Sequence, residues 1–279
     1  MPQTEPSTDP RRVAVLADLA AEQADLRAIV AAIDESAWST PTPSEGWDVR
    51  DQIGHLAFFD GRARLAATDP DAFVAERDEA MGSAVGMAAF MEGSLGRARA
   101  STGAELLRWW DDERDGLVAA LAAVPDGVKI PWYGPPMSPT SKATARIMET
   151  WAHGQDVADA LGVERTPTAR LKNVAHIGVI TRGFAFGANG RPAPTADVHV
   201  RLDPPDGSDP WTWGDPAADD RVEGPAIDFC LLATQRRHRD DLSLTATGPV
   251  ADEWLDIIQA FAGPPGGGRA PLSPKALPT

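Results

Sequence analysis

Five segments in the first 165 residues carry an apolar side chain about every 3.5 positions, and loops bearing Pro or Gly separate them. That pattern commits this part of the chain to packed amphipathic helices. Val13, Leu16, Leu19, Leu26, Val30 and Ile33 set the first stripe, which predicts a helix over 11–36. The loop TPTPSEGW precedes a second stripe, Val49, Ile53, Leu56, Ala57 and Ala63, with its helix over 48–67. A third helix is expected over 83–100. Thr102 and Glu105 have capping-box spacing, and Leu106, Trp109, Trp110, Leu117, Leu121 and Val124 continue on one face, so a fourth helix runs over 103–124. The proline-rich stretch 130–140 cannot be regular structure, and a fifth helix follows from Ser141 to Leu161, stopping at Gly162. Short connections between such helices predict an antiparallel bundle over 11–165, whose sites are built from facing side chains.

Beyond residue 165 the pattern changes. One more helical stretch, 171–186, is followed by period-two alternation from Asp197 to Leu202, by Trp211-Thr212-Trp213, and by turn chemistry at Pro204-Pro205-Asp206-Gly207 between them. A hairpin with helices over 225–236 and 250–261 predicts a small α/β domain over 166–262. The ends, 1–10 and 263–279, are polar or rich in Pro and Gly, and disordered tails are expected there.

Charge and cysteine usage narrow the function. With 26 basic against 41 acidic residues the formal charge is −15, and no basic patch stands ready to neutralise phosphates, so neither nucleic acid nor an anionic membrane is an expected partner. The lone cysteine, Cys230, excludes an intrachain disulfide, and the chain starts without a signal-peptide pattern; a cytoplasmic location is expected. No apolar run reaches the ~20 residues that cross a bilayer.

Glu149 and His153 are the residues that point to chemistry. Four positions apart on a helix, they share one face with Cβ atoms about 5–6 Å apart, a spacing that suits two ligands of one ion and equally an ordinary surface pair. A third ligand must come from His55, His176, His199 or His238. His55 lies among Ile53, Leu56 and Phe58 on the inward side of its helix, where an imidazole needs a partner: an ion, or a satisfied hydrogen bond in the core. Asp51 and Asp156 stand about one turn from His55 and His153 and are candidates to orient an imidazole. The apolar neighbours of Cys230 argue against a reactive thiolate. Trp132 and Tyr133 would either line the mouth of a site or plug the bundle end, and the glycines of 263–269 read as tail rather than phosphate cradle.

The strings Gly46-Trp47-Asp-Val49-Arg-Asp51-Gln-Ile-Gly-His55-Leu56 and Glu149-Thr-Trp-Ala-His153-Gly154-Gln-Asp156 carry a resemblance that spans 11–162. In order and spacing this region resembles the metal-binding domain of the mycothiol-dependent maleylpyruvate isomerase family, a relative of the DinB-like four-helix bundles. The resemblance implies a mainly α fold, a DinB-like antiparallel four-helix bundle with a smaller C-terminal α/β domain. It further implies one Zn2+, or another divalent transition metal, held by His55, Glu149 and His153 with one position left open. Trp211-Thr-Trp-Gly214, Asp228-Phe-Cys-Leu-Leu232 and Thr234-Gln-Arg-Arg-His238 are similar to a smaller subgroup of the same actinobacterial superfamily, described only as metal-binding. In the isomerases a C-terminal-domain arginine meets the substrate; Arg236 is the nearest match, with Arg237 its competitor, although Gln235 stands where that family has Gly. The implied function is thiol transfer or isomerisation with mycothiol as co-substrate, acting on a small electrophilic, carboxylate-bearing molecule. A zinc-dependent hydrolase using metal-bound water and a non-catalytic, metal-stabilised binding module are the rivals.

Overall fold

The structure, a computed structural model, describes residues 9–272. Contacts divide it into two compact units, Met1–Arg165 and Thr166–Thr279. In the first, α1 (Pro10–Ala31), α2 (Val49–Thr68), α5 (Gly103–Ala123) and α6 (Pro139–Leu161) pack on one another as a four-helix bundle, with α3 (Pro70–Met81) and α4 (Ala84–Arg99) laid against α2. Local chemistry fixes the helix starts. Asp48 accepts from the Asp51 amide while Asp51 answers to the Asp48 amide, and Thr102 with Glu105 does the same for α5. Pro opens α1, α3 and α6 behind Asp9, Asp69 and Ser138, where its missing N–H costs nothing. Gly162, at φ 66°, closes α6.

Leu26, Val30, Val49, Ile53, Leu56, Leu106, Trp110 and Val157 form the apolar centre. A carboxylate crosses it. Asp60 of α2, fully buried, accepts from Arg146 Nε of α6 at 2.8 Å, Trp110 Nε1 of α5 at 3.0 Å and Gln23 Nε2 of α1 at 3.1 Å. All four bundle helices therefore meet at one acid. Elsewhere the packing is close enough to demand a missing side chain: a Cβ on Gly54 would lie 2.2 Å from Ala98 Cβ of α4. Gly54→Ala is expected to lower the melting temperature. Overpacking costs about 1–3 kcal/mol, more than the roughly 1 kcal/mol that Ala gains over Gly in a helix. A thermal melt with an unchanged or higher midpoint would show that α4 yields at this point.

Two features of this unit depart from the sequence expectation. The first helix ends at Ala31 rather than 36, and Ser36–Ser39 forms a separate 3₁₀ turn that buries Trp38. Helix α3 was not anticipated, because only Phe73 and Ala80 of its twelve residues are buried and no stripe results.

In the second unit the expected helix over 171–186 is two, α7 (Leu171–Ile180) and α8 (Arg182–Ala188), parted at Thr181. Its hydroxyl donates to Ile177 O and to Gln259 O, at 2.8 and 2.9 Å. The expected hairpin is present as β1 (Val198–Asp203) and β2 (Trp211–Trp213). It belongs to a larger sheet, ordered β2-β1-β3-β4, in which β3 (Asp220–Pro225) runs parallel to β1, and β4 (Thr245–Thr247) antiparallel to β3. Helices α9 (Ala226–Ala233) and α10 (Pro249–Ile257) supply Phe229 and Trp254 to its core, edge to face at 5.8 Å.

Of the disordered tails expected over 1–10 and 263–279, residues 1–8 and 273–279 lie outside the described residues. Some of the rest is held by hydrogen bonds. Asp9 caps α1, Gln259 Nε2 donates to Phe261 O and Gly263 O, and the Leu272 amide donates to the Asp241 carboxylate. Among the described residues no helix is long and apolar enough to cross a membrane.

Candidate metal centre

Helix α2 carries Gln52, His55 and Phe59 along one side, and α6 carries Glu149 and His153 one turn apart. Packing brings these faces together. His55, Glu149 and His153 each offer one ligand atom, all within 4.8 Å of one another, and no other such cluster of His, Cys, Asp and Glu occurs among the described residues. Glu149 Oε2 lies 3.3 Å from His153 Nε2 and 4.0 Å from His55 Nε2. Ligands about 2.0–2.2 Å from a tetrahedral ion stand at comparable separations, so two imidazoles and one carboxylate fit zinc in both donor type and spacing.

The orientation of His153 is set from behind. Its Nδ1 meets Gln52 Oε1 at 2.5 Å, the Gln52 amide donates to Thr42 Oγ1 at 2.9 Å, and that hydroxyl donates to Trp47 O at 2.9 Å. Because the Gln52 nitrogen is committed to Thr42, its oxygen faces the ring and calls for a proton on Nδ1. Nε2 is thereby turned toward Glu149, where it can offer a lone pair to an ion or, carrying a second proton, hydrogen-bond the carboxylate. Rings enclose the cluster: Trp47 stacks on His153 at 5.9 Å and 17°, and Phe59 lies 4.6 Å from His55. Burial pushes the Glu149 carboxyl up, but its hydrogen bond to His153 and the charges of His153, Arg146 and His55 outweigh this and bring it down to about 2. A carboxylate held ionised between two imidazoles is what a divalent cation requires.

The two carboxylates proposed to orient an imidazole have other partners. Asp51 is consumed by the α2 capping box and by Arg99 at 2.8 Å, and Asp156 accepts from Ser44 Oγ at 2.9 Å. Both are buried; Asp51 orders the start of α2, and Asp156 ties α6 to the loop that precedes α2. Gln52 was missed, although its place three residues before His55, on the same helical side, was a readable signal. The Cys230 thiol is buried, and desolvation raises its pKa, which leaves it inert. His176, His199 and His238 all lie in the second unit, where His176 Nδ1 accepts from Trp213 Nε1 at 3.3 Å.

A family profile described as the mycothiol maleylpyruvate isomerase N-terminal domain matches residues 19–158, which contain the whole cluster. The chain belongs to this family. Its relatives include two uncharacterized proteins of Mycobacterium tuberculosis strains, each 48% identical over 254 residues and covering 91% of this chain and 97% of the relative. Two crystal structures of the mycothiol-dependent maleylpyruvate isomerase, one of them a mutant, share the fold with TM-scores of 0.56 and 0.54. They are 14% identical in sequence, over 84% of this chain and 92% of theirs. The bundle with its smaller α/β partner is therefore the DinB-like architecture of the maleylpyruvate isomerases.

Arg236, suggested by the isomerase resemblance, follows α9 in the second unit. Gln235 has φ 59°, and its amide and that of Arg236 donate back to Leu232 O and Leu231 O at 2.9 and 2.7 Å. This Schellman closure puts Gln235 in the left-handed region, a conformation that Gly adopts most readily. Arg236 Nη1 donates to Thr234 O at 2.6 Å, and Arg237 Nη1 to Arg236 O at 2.7 Å.

For Gln52→Ala the expected result is a divalent metal bound about 10- to 100-fold more weakly, with the fold retained, since loss of an outer hydrogen bond frees the ligand's tautomer and orientation. Competition with a chelator of known affinity measures it. Unchanged affinity would mean that Gln52 serves packing alone.

Proposed function

We propose that this chain is a zinc-dependent enzyme that uses mycothiol to transfer to, or isomerise, a small electrophilic acid. The observation that carries the reading is the convergence of His55, Glu149 and His153 with the far nitrogen of His153 already committed to Gln52. Membership of the maleylpyruvate isomerase family supports the choice of thiol. When bound, the ion supplies positive charge that lowers the pKa of a coordinated thiol below its usual value of about 8.5, so that the sulfur is a nucleophile at neutral pH. The protein's own residues do the rest. His55, Glu149 and His153 would hold the ion, and Gln52 would keep His153 from rotating out of register. Trp47 and Phe59 present ring faces that bind water poorly, which keeps a charged sulfur beside them sparsely hydrated. Arg236 is retained, on the family resemblance, as the anchor for a substrate carboxylate.

The test uses purified, metal-loaded protein with an unsaturated keto acid as substrate, assayed with and without mycothiol. Turnover is expected only with the thiol. In cobalt-loaded protein, addition of the thiol is expected to give a sulfur-to-metal charge-transfer band. Turnover in the absence of thiol would replace this reading with hydrolysis, and no band with any thiol would remove the thiol from the site.

A further inference from the structure

Lys142 is one of the chain's four lysines and belongs to α6, seven residues before Glu149 and so on the same side of that helix. It is 1% exposed, and its ammonium nitrogen has no hydrogen-bond partner. The other buried cations of this unit are matched, Arg12 with Asp126 and Arg146 with Asp60, as is the half-buried Arg165 with Glu22. Nothing comparable is left for Lys142, because Asp60, the acid at the centre of the bundle, already serves Arg146, Trp110 and Gln23. Its Nζ sits instead 3.2 Å from the centre of the Trp132 ring.

The surroundings connect this amine to the triad. Trp132 stacks on Phe73 at 5.6 Å and stands 6.5 Å from Phe59, which in turn lies 4.6 Å from His55. Tyr133 completes the wall, 6.1 Å from Phe59, and burial pushes its hydroxyl up to about 12, so it contributes no charge. A run of packed rings thus links the imidazoles to a buried amine. Burying an amine without an acceptor is unfavourable, and a ligand carboxylate would supply the acceptor that the protein withholds.

We propose that Lys142 is a positioning residue that receives the carboxylate of a small unsaturated acid whose other end lies at the His55–Glu149–His153 cluster. The assignment rests on the functional reading above for the place of that other end and for the unsaturation of the acid; the buried amine itself calls only for a carboxylate. Burial, reinforced by the neighbouring Arg146 charge, brings the Lys142 amine down to about 6, so an arriving anion would also draw a proton to it.

The probe is maleate, with the neutral diamide of the same acid as its control. In protein carrying ¹³C at the lysine ε-carbons, the four signals are assigned by substitution and titrated with pH. Lys142 is expected to titrate far below the others, and maleate, but not the diamide, is expected to raise its midpoint. Lys142→Met, similar in length and apolar, is expected to bind maleate at least about tenfold more weakly and to melt at a higher temperature. A Lys142 signal indifferent to maleate, or a methionine variant with full maleate affinity and a lower melting temperature, would make the lysine a strut beneath Trp132 and overturn the proposal. The wild-type titration needs no variant to fold. If maleate moves Lys142 while no thiol-dependent turnover is found, the enzymatic reading fails and this one stands; turnover with Lys142 unmoved gives the reverse.

Discussion

His55→Ala, Glu149→Ala and His153→Ala proteins are each expected to leave purification with on the order of a tenth or less of the divalent metal carried by the parent chain. The parent is expected to hold about one ion. Three protein ligands are the minimum for an open zinc site, so removing any of them leaves two, which compete poorly with water and buffer. The effect is unequal in detail. Glu149 supplies the negative charge, and its loss also leaves two imidazoles facing each other with ring centres 4.4 Å apart. Elemental analysis of the three variants decides the matter, with simultaneous substitution of His176, His199 and His238 as the control that should retain metal. Full occupancy in any single variant removes that residue from the centre.

Asp60→Ala is expected to destabilise the first unit by about 3–5 kcal/mol, a large part of what a domain of this size possesses. The figure follows from what is left behind. Arg146, 3% exposed, would keep its charge without a counterion, and the Trp110 and Gln23 donors would lose their acceptor. Asp60→Asn should recover little, because an amide preserves volume but does not neutralise a guanidinium. Replacing Asp60 and Arg146 together by Leu and Met should recover most of it, since the paired charges carry their own desolvation cost. Urea denaturation followed by tryptophan fluorescence measures all three. A loss below about 1 kcal/mol for Asp60→Ala would mean that water reaches Arg146.

The bundle helices were legible because their burial repeats locally: Leu106, Trp110, Leu117 and Leu121 sit on one face of α5 in the sequence and in the core of the structure. The triad was legible in part, through the four-residue spacing of Glu149 and His153. His55 could be attached to them only by resemblance, since a contact between α2 and α6 spans about ninety residues and leaves no periodic trace. The same reason hid Gln52, which contacts His153 across that gap. It also hid β3 and β4. The strand Asp220–Pro225 reads DRVEGP, with Gly and Pro and only Val222 fully buried at its centre, and β4 is three residues long. Strand β3 joins the free edge of β1 and β4 joins that of β3, and a partner's edge is not written in the strand that joins it. Asp51 and Asp156 show the converse: position along a helix does not reveal that a cation such as Arg99 or a hydroxyl such as Ser44 also engages a carboxylate.

The chain of hydrogen bonds from His153 through Gln52 and Thr42 to the Trp47 carbonyl has a thermodynamic corollary. The loop between the 3₁₀ turn and α2 is closed by Thr42 N to Trp47 O at 2.8 Å and by Trp47 N to Ser44 O at 3.0 Å, so its order and the setting of His153 share one equilibrium. An ion that favours the set imidazole must favour the closed loop by the same factor, and a closed loop must return that factor to the ion. Slowed amide exchange at Thr42 and Trp47 would then report on a ligand that touches neither residue, and the loop would act as its gauge.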